Sequence, residues 1–75
     1  MAAKPAIETY YEGYSWKNRE QGAYLTLSTH TFKDDAVAQG RRYAIERQTE
    51  HIIKGMDGTI LERNSYGNDP FPPRG

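Results

Sequence analysis

Seventy-five residues with ten basic and ten acidic side chains, no cysteine, and only 11 Val, Ile, Leu and Phe make one small neutral domain, spanning residues 1–75. The missing cysteines exclude disulfide staples, zinc–thiolate sites and thiol nucleophiles, and the zero net charge gives no broad footprint for nucleic acid or membrane. So few aliphatics with a high net charge would point to disorder; here the chain is neutral and six Tyr and one Trp restore apolar area, so the expectation is a thin, aromatic-rich core that a homodimer would help to bury.

The opening MAAKPAIETYY holds no apolar run long enough for a signal peptide or a membrane span, so a cytoplasmic protein is expected. Residues 1–5 read as a frayed end. Ile7–Glu12 is β-branched and aromatic and reads as a strand, broken by Gly13. In Tyr14–Arg19 the alternation puts Tyr14, Trp16 and Asn18 on one face and Ser15, Lys17 and Arg19 on the other, so a first hairpin is expected around Gly13. Glu20-Gln21-Gly22 is a second turn, and Ala23–Ser28 is a third strand.

The period then changes. Thr31 and Asp34 have capping-box spacing, with Asp34 and Asp35 in the first turn where the helix dipole favours them. The helix is expected from about Lys33 to about Gln48, with Ala36, Val37, Gly40, Tyr43 and Ala44 on one face. Gly40 in a helix interior costs ~1 kcal/mol against Ala, a cost explained by close packing on a sheet. Glu50–Lys54 and Thr59–Asn64 are strands about an Asp57-Gly58 turn, since Gly accepts the positive φ such turns need. Two facings are open: Ile52 with Leu61, or Ile53 with Ile60. The fold expected is α+β: a small antiparallel sheet (strands, one helix, then a C-terminal hairpin) with the single helix packed on one face. Residues 67–75 form a Gly/Pro-rich tail.

The stretch from Tyr11-Glu12-Gly13 through Trp16-Lys17-Asn18-Arg19, the helical AVAQGR, the segment EHIIKGMDGTI and the ending RNSYGNDP together resemble a bacterial family of small proteins catalogued as domain of unknown function 2188. The resemblance spans most of the chain. It implies an α+β fold and a bacterial, intracellular setting. It carries over no activity, cofactor or catalytic residue. Where the family has Thr just before the helical Lys this chain has Phe32, which shifts the expected cap to Thr31.

No catalytic constellation is legible, and no enzyme, cofactor or metal is expected. His30 and His51 lack the three or four ligands a metal needs; no nucleophile elbow or phosphate-cradling glycine loop is present. Binding is the expected role, with an unknown protein partner. The candidate contact residues are Tyr66, Asn68, Asp69, Phe71 and Pro72 in the ending, where prolines stiffen the chain around Phe71, together with Arg41 and Ile45 on the helix flank away from the small residues. The alternative is association with single-stranded nucleic acid through an aromatic sheet face of Tyr10, Tyr14, Trp16, Lys17 and Arg19, against which the neutral charge counts.

Overall fold

The computed structural model describes residues 4–67. Its elements run β1 (Ile7–Glu12), β2 (Ser15–Glu20), β3 (Thr26–His30), α1 (Lys33–Arg47), β4 (Glu50–Lys54) and β5 (Ile60–Ser65). They build the expected α+β layer, a five-stranded sheet in the order β3-β2-β1-β4-β5 with α1 on one face. The sheet is antiparallel apart from its central β1–β4 pair, which is parallel. The direction of the helix accounts for this. Strands β1, β2 and β3 alternate in direction, α1 takes the next return stroke, and β4 therefore runs the same way as β1.

The β1–β2 hairpin closes through Gly13 and Tyr14, with φ of 61° and 64°. Two successive positive-φ residues match the twist of the flanking strands. Tyr14 thereby leaves the face expected for it beside Trp16 and Asn18 and stands 91% exposed in the turn. Strand β3 starts at Thr26 rather than Ala23, and its pairing with β2 is shifted by a bulge at Asn18/Arg19. Tyr24 and Leu25 stay in the preceding loop, 99% and 76% exposed.

Helix α1 begins as the acid-rich first turn predicts, but the expected Thr31 cap does not form. Phe32 is the N-cap, extended and without a side-chain hydrogen bond, and the dipole is met by Asp34 and Asp35. The helix ends on Gln48, which adopts the left-handed conformation, while the Thr49 N–H donates to the Ala44 carbonyl. Thr49 also ties the entry to β1, its one Oγ1 proton shared between the carbonyls of Pro5 at 3.0 Å and Lys4 at 3.2 Å. Those two are the only residues of the expected frayed end, 1–5, that the described range includes.

Alternation sorts the sheet into two faces. Toward α1 point Ile7, Thr9, Tyr11, Trp16, Asn18, Ser28, His51 and Ile53; away from it point Glu8, Tyr10, Lys17, Arg19, Ile52 and Lys54. A second bulge, at Ile53/Lys54, resolves the facing of the last hairpin. Ile53 pairs with Glu62 and Ile52 with Arg63, so Ile52 and Ile53 are core on opposite faces, at 1% and 4% exposure. Ala36, Gly40 and Ala44 are the buried face of the helix, as their spacing predicts.

Candidate functional site

Helix and sheet meet over a row of polar side chains. The Thr9 hydroxyl donates to Asn18 Oδ1 at 2.5 Å and lies 2.7 Å from His51 Nε2. A hydroxyl has one proton to give, so the His51 Nε2–H is the donor in the second contact, which fixes the neutral tautomer. Asn18 Nδ2 donates to Ser28 Oγ and to the Ala36 carbonyl of α1, and Ser28 Oγ lies 3.0 Å from His30 Nε2. The row crosses β4, β1, β2 and β3 in turn. Thr9, Asn18 and His51 are at most 1% exposed. Burial holds the His51 pKa below its usual value, with Arg41 adding to the effect and Glu62 opposing it. Each proton of the Asn18 amide is spent on a structural bond, so the row fastens α1 to the sheet.

The face without α1 is closed by ion pairs. Glu8 lies between Arg19 (3.0 Å) and Lys54 (3.1 Å). Burial would raise its pKa, but the hydrogen bonds from both cations outweigh burial and lower it. The Arg19 guanidinium also covers the Tyr10 ring at 4.3 Å. Lys17 pairs with Glu12, and Arg63 with Glu50.

The open part of the fold lies along its last strand. Helix α1 packs on β1, β2, β3 and β4 and does not reach β5. A groove of about 420 Å³ remains on that side, between Lys33, Asp34, Val37, Ala38 and Arg41 of the helix and Ile53, Leu61 and Glu62 of the hairpin. Leu61 is 56% exposed there, because the bulge that seats Ile53 opposite Glu62 leaves Leu61 over. Among the described residues, strand β5 pairs with β4 alone and its outer edge has no strand beside it. No ion pair within the described residues uses Lys33 or Arg41.

Of the candidate contact residues, Arg41 lines this groove, and Ile45, about half exposed, stands one turn further along the helix. Tyr66 is half-buried at the far end of β5, its N–H donating to the Thr49 carbonyl. Asn68, Asp69, Phe71 and Pro72 lie outside the described residues. The nucleic-acid candidates are not brought together. Tyr10, Lys17 and Arg19 share the face away from α1, Trp16 lies under the helix side with Tyr11 at 5.0 Å and the Lys33 ammonium at 5.6 Å, and Tyr14 is in the turn. Tyr10 and Trp16 are no more than 9% exposed, so neither offers a ring face for stacking. Sequence reasoning missed Leu61 and Glu62 as groove residues and Thr9, Ser28 and His51 as a bonded row. The signal that was available is Gly40, which announces a close approach without saying to what.

A family model described as an uncharacterized protein conserved in bacteria, DUF2188, matches residues 7–66. No curated protein and no solved structure matches the chain. The chain belongs to the DUF2188 family. Among the described residues, no helix is long and apolar enough to cross a membrane.

Proposed function

We propose that this bacterial protein is a non-catalytic interaction module of the cytoplasm, acting as a homodimer and binding a protein partner in the groove between α1 and β5. The observation that supports the reading is the one-strand overhang of the sheet beyond its helix. An extended partner segment laid against the outer edge of β5 gains backbone hydrogen bonds. Its side chains then meet an apolar stripe, Val37, Ala38, Ile53 and Leu61, rimmed by two cations, Lys33 and Arg41, and two acids, Asp34 and Glu62. The fitting partner is a strand that carries an apolar residue flanked by charges of both signs. Nucleic-acid association has less behind it, because the aromatic and basic candidates are split between faces and two of the cations, Lys17 and Arg19, are already paired.

The test is affinity capture from the native host, with and without nuclease, using the full chain and the variant Leu61→Lys/Arg41→Glu. Both positions are exposed, so the variant should melt within about 0.5 kcal/mol of the parent. The expected result is a nuclease-resistant protein partner captured by the parent and lost with the variant. Equal capture by both, or capture that nuclease abolishes, would overturn the assignment of the groove.

A further inference from the structure

The longest uncharged run in a chain that is 27% charged is Gln21–Phe32, twelve residues without Asp, Glu, Lys or Arg. The fold places that run at one edge of the sheet, as β3 and its flanking loops. Edge strands are ordinarily guarded against pairing by charged side chains. The opposite edge follows this rule against pairing with its own copy, with Glu62 and Arg63 in β5. Strand β3 (TLSTH) does not; among the described residues its guards are the bulge opposite β2 and the Tyr43 hydroxyl, which donates to the Leu27 carbonyl at 3.4 Å.

Apolar residues bracket this uncharged edge. Tyr24 and Leu25 precede it at 99% and 76% exposure, and Phe32 follows it at 66%. Tyr24 and Phe32 lie four residues to either side of Ser28. An antiparallel pairing about a two-fold axis near Ser28 therefore lays Tyr24-Leu25 of one copy against Phe32 of its partner, and does so twice. No charge opposes a like charge in this register. The same operation on β5 sets Glu62 against Glu62 or Arg63 against Arg63. The edge is thus self-complementary in charge and in the placement of its apolar groups, as a two-fold contact requires.

We propose that β3 is the self-association surface, two copies joining their sheets edge to edge with Tyr24, Leu25 and Phe32 as the anchors. This inference rests on the homodimer reading above and names its surface, which is remote from the α1–β5 groove. Aromatic side chains bury roughly 150–250 Å² each, so two bracketing clusters and a short strand pair make an interface at the low end of specific contacts, the class of weak and transient association.

Sedimentation of the full chain across about 1–200 μM, a range chosen for weak association, tests the proposal with the variant Tyr24→Lys/Phe32→Asp. Phe32 is an N-cap without a side-chain bond, and Asp is a preferred capping residue. The variant should therefore keep or raise its melting temperature at low concentration while losing the interface. The expected result is a parent mass that rises toward twice 8.6 kDa, a variant at least about tenfold weaker in self-association, and hydrogen-exchange protection at Thr26–His30 that grows with parent concentration. A dimer that the variant leaves intact, or one without added protection in β3, overturns the edge assignment and leaves the homodimer standing. A parent that stays monomeric throughout refutes the homodimer itself, and the edge with it.

Discussion

Gly40→Ala tests how closely helix and sheet are joined. By helix propensity alone the change should stabilise the protein by ~1 kcal/mol. The structure reverses the sign. A Cβ at Gly40 would stand 2.5 Å from Asn18 Oδ1 and 2.6 Å from both Thr9 Oγ1 and His51 Nε2. None of these is a free side-chain end, because all three are buried and bonded to one another. Relief must come from lifting α1, which loosens Ala36 and Ala44, or from breaking the polar row. Overpacking of a filled core costs ~1–3 kcal/mol, and a buried hydrogen bond left unmade costs ~1–3 kcal/mol. Either cost, less the propensity gain, leaves a net loss of ~1 kcal/mol and at most ~2 kcal/mol, or about 4–16 °C in melting temperature for a domain of this size. Melts must be run at one fixed protein concentration, since self-association shifts apparent stability. Ala38→Gly on the exposed flank serves as control and should cost only the ~1 kcal/mol of propensity. A Gly40→Ala protein as stable as the parent, or more so, would refute the close seating of helix on sheet.

The buried neutral His51 predicts an acid response. Its folded pKa lies below the unfolded value, so its contribution is intact above about pH 6.5 and is lost as pH falls below that toward the folded pKa, by at most ~1.4 kcal/mol per pH unit. Chemical denaturation from pH 8 to pH 5 should show the fall, and His51→Gln, which keeps a donor but does not titrate, should flatten it; an unchanged slope in the variant would exclude His51 as the cause. Glu8→Ala should cost ~1–3 kcal/mol at pH 7, below the value for a fully buried pair because Arg19 and Lys54 both reach solvent. Glu8 has a lowered pKa, so its stabilisation is present above about pH 4.5 and is lost as pH drops through the folded value. The variant's deficit should therefore shrink in strong acid, and a deficit that is the same at pH 3 and pH 7 would argue against charge as its source.

Local signals in this chain were legible, and pairings between distant segments were not. Helix limits, the Gly13 turn and the small-residue face of α1 follow from spacing and conformational preference, each decided within a few residues. Strand Ile7–Glu12 and strand Glu50–Lys54 were readable for the same reason. That the two lie side by side and parallel was not, because nothing in either segment names its neighbour. The two bulges were equally silent, and they decide which residues serve the surface. One frees Leu61 into the groove; the other occurs where β3 starts late, leaving Tyr24 and Leu25 outside the sheet. Phe32 misled in a further way. Its neighbour Thr31 has the chemistry of a cap, yet the helix starts one residue later and leaves the cap unfilled.

The polar row has a consequence for function. With 11 aliphatic and Phe residues in all, this chain cannot specify its strand order by apolar packing alone. Hydrogen bonds joining β4, β1, β2 and β3, with one more to the Ala36 carbonyl, give an order and register that a slipped strand would forfeit. Buried polar groups that trade stability for specificity are known in other folds, and as a hypothesis here the trade predicts that Asn18→Leu yields a protein with poorer chemical-shift dispersion, not only a lower melting point. A uniquely folded Asn18→Leu protein would contradict it. If the row does hold the centre, the two edges are mechanically separate. Strand β5 and its groove can then take a partner while β3 holds a second copy, and neither should change the other's affinity. Measured coupling between the two, in self-association with and without bound partner, would show that the sheet transmits strain across the row that is meant to fix it.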